Sequence, residues 1–306
     1  MRSSPLKDEI LFEQAYGFAN QEEQRPLTPF YRFLIASLSK QVTAALALQT
    51  FEARLIDLAV PLATYLPEIR QDWAEVTLHH LLTHSSGIKE WDKPLAFKAG
   101  KNFLYNNIGY DLLGTVLERV TGRTFADLSA TLFHKCGMNH TISPSTGDKL
   151  ELQALYKDLA TGYKREENSF QIALDKCDIS SNPSGGLLST LHDLHQWNLY
   201  LHHGKILSLP TYIRMITPHI MRENRWGEIG YGYGVEVFEK NGAFQIAHNG
   251  IIAGYTSTLV YYPQSQLHLI ILENESYSSK EWTIEEQKTA FSLHDKIRQI
   301  VQAKVM

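Results

Sequence analysis

The chain has 306 residues, of which 43% are hydrophobic and 20% charged, a composition typical of a globular protein with a sizeable core. A net charge of −4 provides no basic surface for nucleic acid or an anionic membrane, so neither partner is expected. No apolar run reaches the roughly 18 residues of a membrane span. The two cysteines, Cys136 and Cys177, form neither a disulfide framework nor a Cys-x-x-Cys motif and are expected to be structural.

The N-terminal segment, residues 1–9, lacks the apolar core of a secretory signal. This predicts a cytoplasmic protein. A periplasmic location stays open if residues upstream of the recorded start carry an export signal.

The first two thirds of the chain are predominantly helical in pattern. Residues 9–19 are rich in large apolar and aromatic side chains and predict an initial strand. A turn at residues 27–29 follows, and Gly and Pro mark the joints up to about residue 205. We expect a helix that begins at Ser37 and further helices over 52–60, 77–83, 107–121, 124–133 and 190–203.

A period-2 pattern then predicts an antiparallel sheet over residues 229–273. Hairpin turns are expected at residues 240–242 and 263–265. The expected strands are Tyr231–Phe238, Phe244–Ala247, Tyr255–Tyr262 and Leu267–Leu272.

A closing helix is expected over residues 283–303, after the last strand. This order of elements predicts an α+β fold. Its sheet-and-helix domain is discontinuous, residues 1–36 and 206–306, and its mostly helical domain comprises residues 37–205. The predicted buried stripe of the closing helix is Ile284, Phe291, Leu293, Ile297, Ile300 and Val301.

The motif Ser37-x-x-Lys40 places a hydroxyl and an amine on one face of a helix. Residues 41–48 are apolar on nearly every side, which indicates a buried helix. Burial lowers the pKa of a lysine, so Lys40 can take the Ser37 proton near neutral pH. Ser39 lies on another side of the helix. Alternatively, Ser37 caps the helix and Lys40 is a solvated first-turn residue, since Ser-x-x-Lys alone is a weak pattern.

The segment Tyr105-Asn106-Asn107 places a phenol and an amide two residues apart, just before a predicted helix. A phenol near a lysine ammonium can ionise below its usual pKa of about 10 and shuttle protons. The Asn107 amide can both donate to and accept from a bound amide or ester. The alternative is a core tyrosine beside a helix-capping Asn107.

A third motif, His248-Asn249-Gly250, lies between two predicted strands. Gly250 allows a ligand to approach the backbone closely, and the N–H of Ile251 can donate to a developing oxyanion. The alternative for His248 is a structural histidine or a turn residue.

With these three motifs in this order, the chain resembles the serine β-lactamase and penicillin-binding protein family, in its class C-like branch. That branch includes D-alanyl-D-alanine carboxypeptidases, D-aminopeptidases and lactamase-like esterases. The resemblance covers nearly the whole chain, and further similar blocks are residues 26–41, 77–88, 183–190 and 231–234.

The resemblance implies a β-lactamase/transpeptidase-like fold and hydrolysis by two-step acyl transfer, without a cofactor. Ser37 becomes the acylated nucleophile, and Lys40 and Tyr105 become the proton-transfer pair. The resemblance does not decide which of these two is the principal base. The substrate is expected to be a small molecule or a peptide, and the oligomeric state is left open.

The resemblance also implies the substrate-binding residues. Asn107 contacts the substrate amide, and His248 is a polar wall residue at the position of the family's Lys-Thr-Gly motif. Gly250 follows in that motif, and the N–H groups of Ser37 and Ile251 form the oxyanion hole.

Two features depart from the family pattern. His248 replaces a lysine whose fixed charge would attract a carboxylate, and a histidine with a pKa of about 6.5 is mostly neutral at pH 7. We therefore predict weak β-lactam hydrolysis and better activity on small esters or D-amino-acid amides. The helix and first strand that family members have before the segment starting here at Glu9 are missing, which predicts an uncovered or differently filled sheet edge.

Other functions are weighed against a serine hydrolase. His80 and His84, at i, i+4, and His192 and His195, at i, i+3, suggest a zinc site, but no His-Glu-x-x-His motif or third ligand accompanies them. No Gly-x-Ser-x-Gly elbow occurs, which argues against an α/β-hydrolase. A catalytically inactive member of the same fold, acting in binding or scaffolding, is the more serious alternative.

Overall fold

The computed structural model describes residues 9–166, 169–175, 179–277 and 283–305. Within them, a helix-rich region precedes the main sheet, and two helices follow it, as expected for an α+β protein. The α-helices of these residues are α1 (Ser39–Glu52), α2 (Leu78–Leu82), α3 (Asn107–Thr121), α4 (Phe125–Lys135), α5 (Lys149–Leu155), α6 (Leu191–His202), α7 (Leu209–Ile216), α8 (Ile284–Ala290) and α9 (Ser292–Val305).

Most strands before residue 220 are very short, whereas several later ones are longer. In chain order the strands of the described residues are β1 (Phe18–Asn20), β2 (Arg25–Pro26), β3 (Phe33–Leu34), β4 (Tyr163–Glu166), β5 (Ser169–Ile172), β6 (Leu188–Ser189), β7 (Ile220–Asn224), β8 (Gly227–Tyr231), β9 (Glu236–Lys240), β10 (Ala243–Ile252), β11 (Tyr255–Tyr262), β12 (Leu267–Glu273) and β13 (Glu275–Tyr277).

The main sheet is an antiparallel meander in the order β12-β11-β10-β9-β8-β7. Its central pairing joins β10 to β11, with His248 opposite Leu259 and Gly250 opposite Ser257. β9 pairs with β10 only as far as Ala247. The last five residues of β10 therefore extend beyond β9. Smaller sheets pair β1 with β2 and β3 with β6, and a third sheet places β4 between β13 and β5.

The main sheet buries apolar side chains on both of its faces. In β11, Leu259 and Tyr261 belong to the large core that includes α1 and α6. Val260 and Tyr262 alternate with them and belong to a second cluster, against which Val301 of α9 packs. The sheet thus lies between the main helical region and the closing helices.

Helix α1 runs through the centre of the large core. Every residue from Ser39 to Leu48 is buried, including Lys40. Because this segment is apolar on nearly every side, burial of the whole helix is the stable arrangement, as the sequence predicted.

Two predicted elements near the start of the chain are wrong. Residues 9–17 form no strand, and Leu11 and Phe12 are more than two-thirds exposed. Apolar composition alone does not make a strand when no neighbouring strand pairs with it. The helix predicted over 52–60 is replaced by turns, because α1 ends at Glu52 and Arg54 adopts a φ of +60°, outside the helical region.

The strand predicted over Tyr231–Phe238 is two strands, since β8 ends at Tyr231 and β9 begins at Glu236. Gly234 between them has a φ of +70°, a left-handed conformation that interrupts a strand. The single closing helix is likewise two helices, α8 and α9, separated at Phe291.

The buried face of the closing helices is largely polar. His294 and Arg298 are fully buried, and the Arg298 guanidinium donates to Gln245 of the sheet at 2.7 Å. Because the sheet surface beneath α9 presents polar groups such as the Gln245 amide, the helix face that packs on it is polar. Of the predicted stripe, Phe291 is buried, Ile297 and Val301 are half-buried, and the exposed members are Ile284, Leu293 and Ile300.

The remaining predictions concern membrane spans, the two cysteines and the division into domains. No helix in the described ranges is long and apolar enough to cross a membrane. Cys136 is buried, and burial raises the pKa of its thiol to about 12, whereas Cys177 lies outside the described residues. The discontinuous two-domain division stays a prediction.

Candidate active site

Ser37 lies in a single 3-10 turn that leads directly into α1. Ala36, just before it, has a φ of +49°, a left-handed conformation that costs on the order of 1–3 kcal/mol. Ile35 is held on both backbone groups. Its N–H donates to the Leu187 carbonyl at 3.0 Å, and its carbonyl accepts from the Ser257 hydroxyl at 2.8 Å. These bonds fix the strained turn that presents Ser37 to a cleft.

The Lys40 amine has three oxygen neighbours in a fully buried setting. Its Nζ lies 2.7 Å from the Ser184 carbonyl, 2.8 Å from Asn107 Oδ1 and 3.2 Å from Ser37 Oγ. The carbonyl and the amide oxygen can only accept, so they take the two N–H groups of a neutral amine. Its lone pair then faces the Ser37 hydroxyl, the arrangement of a base beside its nucleophile.

Burial disfavours the ammonium form and lowers the pKa of Lys40 to about 7, although the Asp111 carboxylate partly opposes the shift. A large fraction of Lys40 is therefore uncharged at neutral pH. The alternative of a solvated first-turn lysine is wrong, because the residue is fully buried.

Ser39 has a structural environment. Its hydroxyl is buried and accepts a hydrogen bond from the Leu187 N–H at 3.3 Å. Ser37 is thus the serine of this segment that lies beside the Lys40 amine.

Tyr105 lies beside both Ser37 and Lys40. Its ring centroid is 4.8 Å from Lys40 Nζ, and its phenol shares a hydrogen bond with Ser37. Desolvation raises the pKa of Tyr105 above its ordinary value, and this outweighs the lowering by the Ser37 hydrogen bond and the Arg222 charge. For this residue, which is 37% exposed, the shift is opposite in direction to the expected lowering of the phenol pKa. Tyr105 is a neutral phenol able to donate a proton.

Asn106, and not Asn107, caps α3. The Asn106 side-chain oxygen accepts from the Gly109 N–H at 3.2 Å. Asn107 is the first residue of the helix, and its oxygen accepts from Lys40. Its amide NH₂ remains able to donate to a ligand in the cleft that Asn107 lines.

His248 is buried and has a hydrogen-bond partner at each ring nitrogen. Nδ1 lies 2.7 Å from the Asn249 carbonyl, to which it must donate. Nε2, 3.0 Å from the Tyr231 hydroxyl, then accepts from it. Burial lowers the pKa of His248 to about 4, so the ring is neutral at pH 7 and adds no positive charge to this wall.

Gly250 allows β10 to lie directly against the Ser37 turn. A Cβ at this position would come within 2.6 Å of the Ile35 carbonyl oxygen and 2.9 Å of the Ser37 nitrogen. Only glycine fits this approach. It brings the following residue, Ile251, to the same cleft as Ser37.

The cleft itself has a volume of about 250 Å³. Its lining includes Ala36, Ser37, Asn107 and the segment from Ile251 to Ala253. The structure thus brings Ser37, Lys40, Tyr105 and Asn107 together, with His248, Gly250 and Ile251 on the adjoining strand.

The predicted histidine pairs do not converge. His80 Nδ1 closes a capping box with Thr77 at the start of α2, whereas His84 lies beyond the end of that helix. His192 pairs with a glutamate, and His195 makes an edge-to-face contact with the ring of His268. In the part of the chain that the structure describes, no group of three His, Cys, Asp or Glu residues is arranged to hold a metal ion.

Two features of the site have no motif in the sequence. The Ser184 carbonyl accepts from Lys40, and a backbone acceptor leaves no sequence signal of its own. The Arg222 guanidinium lies 3.2 Å from the Glu236 carboxylate and 5.9 Å from the Tyr105 ring centroid. This ion pair joins β7 to β9 across the sheet, and only the fold brings it to Tyr105.

Known proteins share both the sequence pattern and the fold. A penicillin-binding protein of Bacillus subtilis (strain 168) is 24% identical over 304 residues, covering 87% of this chain and 66% of the relative. A D-aminopeptidase of Gluconobacter oxydans (strain 621H) is 25% identical over 295 residues, covering 88% of this chain and 54% of the relative. The chain therefore spans between about half and two thirds of the length of these relatives.

A solved structure and a family model extend the comparison. The crystal structure of a penicillin-binding protein from Bacillus halodurans matches with a TM-score of 0.76 at 28% identity, covering 94% of this chain and 92% of that chain. The β-lactamase family model matches residues 6–292. Because that match includes nearly the whole chain, the chain belongs to the β-lactamase family.

Proposed function

We propose that the chain is a serine hydrolase that forms a covalent acyl-enzyme at Ser37. The observation that carries the proposal is the Lys40 amine, buried, with its pKa lowered to about 7 and its Nζ 3.2 Å from the Ser37 hydroxyl. A nucleophile within hydrogen-bond reach of a base that is neutral near pH 7 is the usual arrangement for covalent catalysis.

Each proton in the proposed reaction has a donor and an acceptor. Lys40 takes the Ser37 proton as Oγ attacks the substrate carbonyl carbon. The resulting oxyanion accepts hydrogen bonds from the Ser37 and Ile251 N–H groups, each typically worth about 2.7–4 kcal/mol of barrier. Tyr105 donates its proton to the leaving nitrogen or oxygen as that bond breaks, and the Lys40 ammonium reprotonates Tyr105. In the second half of the reaction Lys40 takes a proton from water as the water oxygen attacks the acyl carbon. The Ser37 oxygen recovers that proton from Lys40 as it leaves.

We propose small esters or D-amino-acid amides as substrates, in preference to β-lactams. His248 is neutral at pH 7, and the Arg222 guanidinium is already paired with Glu236, so neither residue supplies the fixed charge that the family's lysine would offer to a β-lactam carboxylate at this wall. The Lys149 ammonium also lines the cleft, but it donates to the Ala253 carbonyl and its charge acts on Asp175. A cleft of about 250 Å³ is also small for a drug-sized ligand. The similarity to a D-aminopeptidase supports the same choice.

The test compares turnover of D-alanine amide, p-nitrophenyl acetate and nitrocefin at pH 8. We expect hydrolysis of the amide or the ester, with kcat/KM for nitrocefin at least about tenfold lower. Ser37→Ala should abolish turnover. Ser39→Ala, the neighbouring serine that accepts from the Leu187 N–H, should retain it. Efficient nitrocefin hydrolysis would contradict the substrate assignment, and full activity of Ser37→Ala would contradict the mechanism.

A further inference from the structure

His84 lies just after α2, in the block of residues 77–88, and the mechanism above does not use it. It is 1% exposed and adopts a φ of +56°. A non-glycine residue in this conformation is strained, and the strain persists only where the surrounding contacts fix it. The contacts that hold His84 in this strained conformation therefore indicate its role.

His84 holds the loop that carries Tyr105. Its backbone carbonyl accepts from the Leu104 N–H at 2.8 Å, and its ring Nδ1 accepts from the Asn106 N–H at 3.2 Å. Between these two bonds the His84 ring lies over the Tyr105 ring, with centroids 4.3 Å apart and planes tilted by 37°. Three consecutive loop residues are thus tied to one histidine.

A histidine at this position places its second ring nitrogen, Nε2, in an unfavourable environment. Because Nδ1 accepts a hydrogen bond, the neutral ring carries its hydrogen on Nε2. That nitrogen is buried and has no hydrogen-bond partner among the described residues. A phenylalanine would fill similar space without an unpaired N–H. What histidine adds here is the Nδ1 acceptor for the Asn106 N–H.

We propose that His84 is a positioning residue that holds the Tyr105 phenol where it can protonate the leaving group. This inference rests on the proposed function. Tyr105 gives its proton to the departing nitrogen as the carbon–nitrogen bond breaks, and the Lys40 ammonium restores it. His84 touches neither proton, but it fixes the loop from which the phenol reaches Ser37 and Lys40.

The test uses leaving groups with different needs for a proton. An amine must be protonated to leave, whereas p-nitrophenolate leaves as a stable anion. We expect His84→Phe to lower kcat for D-alanine amide by about 10- to 100-fold, since displacement of a catalytic group by about 1 Å costs up to about 100-fold. The KM for the amide and the rate on p-nitrophenyl acetate should stay within about threefold.

A conservative variant separates the acceptor from general disturbance of the fold. In His84→Asn the side-chain oxygen takes the place of Nδ1, and asparagine tolerates the left-handed backbone. In His84→Gln the oxygen lies one bond further out and misses the Asn106 N–H. We expect His84→Asn to retain several-fold more amide turnover than His84→Gln, with equal thermal stability. This pair also tests the proposal if His84→Phe does not fold.

A double-mutant cycle with Tyr105→Phe gives the decisive comparison. If His84 acts through the phenol, His84→Asn and His84→Gln should give equal amide rates once the phenol is absent. An unchanged difference in that background, or equal losses on amide and ester in the single variants, would overturn the role of His84. If the wild-type protein hydrolyses neither substrate and Ser37 is not labelled by a fluorophosphonate, the proposed function fails as well.

Discussion

The Lys40 amine is central to the chemistry proposed for the site. The Ser184 carbonyl and the Asn107 amide oxygen fix its two N–H groups, so its lone pair has one remaining direction, toward Ser37. A solvated lysine would hold a proton at neutral pH, whereas burial lowers the pKa of Lys40 to about 7. Position and protonation state therefore arise from the same buried environment.

Replacement of this amine should remove most of the activity. We expect Lys40→Ala to lower kcat/KM for D-alanine amide by about 10²- to 10⁴-fold, the usual contribution of a positioned general base. The measurement is steady-state turnover on protein whose circular dichroism spectrum matches the wild type. Activity within tenfold of wild type would assign the base to another group.

The pH dependence follows from the same residue. Lys40 accepts the Ser37 proton only when neutral, so kcat/KM should be low at pH 5, rise through about pH 7 and level off above pH 8. Tyr105 must keep its proton, and desolvation raises the pKa of Tyr105, so no decline is expected below pH 9. His248, with a pKa of about 4, stays neutral over this range. A profile that falls between pH 6 and 8 would contradict the assignment.

The spacing of the motif residues predicted which side chains of the candidate site lie together. It did not predict their protonation states. Ser37 and Lys40 are three residues apart on one short segment, so their contact follows from helical geometry. The direction of the Tyr105 pKa shift does not, because it depends on how far the fold desolvates the phenol. The Ser184 carbonyl meets Lys40 only through tertiary packing.

Among the elements, β10 lies directly against the Ser37 turn. Ser257 on the neighbouring strand β11 donates to the Ile35 carbonyl, and Gly250 of β10 lies against the Ser37 nitrogen. The wall formed by β10 is thereby fixed relative to Ser37. This contact sets the distance between Ser37 and Ile251, the two proposed oxyanion donors.

A methyl group at Gly250 should separate the two elements. We expect Gly250→Ala to lower kcat/KM about 100-fold and to destabilise the fold by about 1–3 kcal/mol, since its Cβ would lie 2.5 Å from the Ser257 hydroxyl oxygen. Thermal unfolding and turnover measure the two effects. Gly109→Ala is the matched control, because a Cβ there meets its nearest atom at an ordinary 3.6 Å. Normal activity of Gly250→Ala would show that the contact does not matter.

Elements whose own residues show a clear helix or strand pattern were predicted closely. Elements whose structure depends on packing against other elements were not. The strand Tyr255–Tyr262 and the helix Asn107–Thr121 have the bounds that the sequence predicted. The exposed Leu293 and Ile300 of α9 contradict the apolar-stripe rule, because the helix packs on a sheet surface that hydrogen-bonds Arg298. A helix pattern does not reveal which surface it meets.

Over the whole molecule, buried and half-buried neutral histidines couple stability to pH. Burial lowers the pKa of His79, His248 and His268 to about 4 in each case. In the unfolded chain these rings bind a proton near pH 6.5. Between pH 6.5 and 4 the unfolded state therefore binds more protons than the folded state, and the stabilising contribution, complete above pH 6.5, is lost as the pH falls.

Acid should thus destabilise the fold before the carboxylates titrate. Because the pKa of Lys40 is lowered to about 7 in the fold, the urea midpoint should already be lower at pH 7 than at pH 8. The histidines should make it fall more steeply from pH 6.5 to 4.5. His268→Gln, which removes a ring 5.6 Å from His195 and 6.3 Å from His203, should reduce the slope. A midpoint that rises on acidification would contradict the neutral state of these histidines.

The central claim is that Ser37 is a nucleophile activated by Lys40. The most direct measurement is intact mass spectrometry after incubation with a fluorophosphonate, on the wild type and on Ser37→Ala, Ser39→Ala and Lys40→Ala. We expect a single adduct on the wild type and Ser39→Ala, none on Ser37→Ala, and labelling slowed by at least about 100-fold on Lys40→Ala. No adduct on folded wild-type protein, or an adduct that persists in Ser37→Ala, would contradict the account and favour a non-catalytic, binding role for this member of the family.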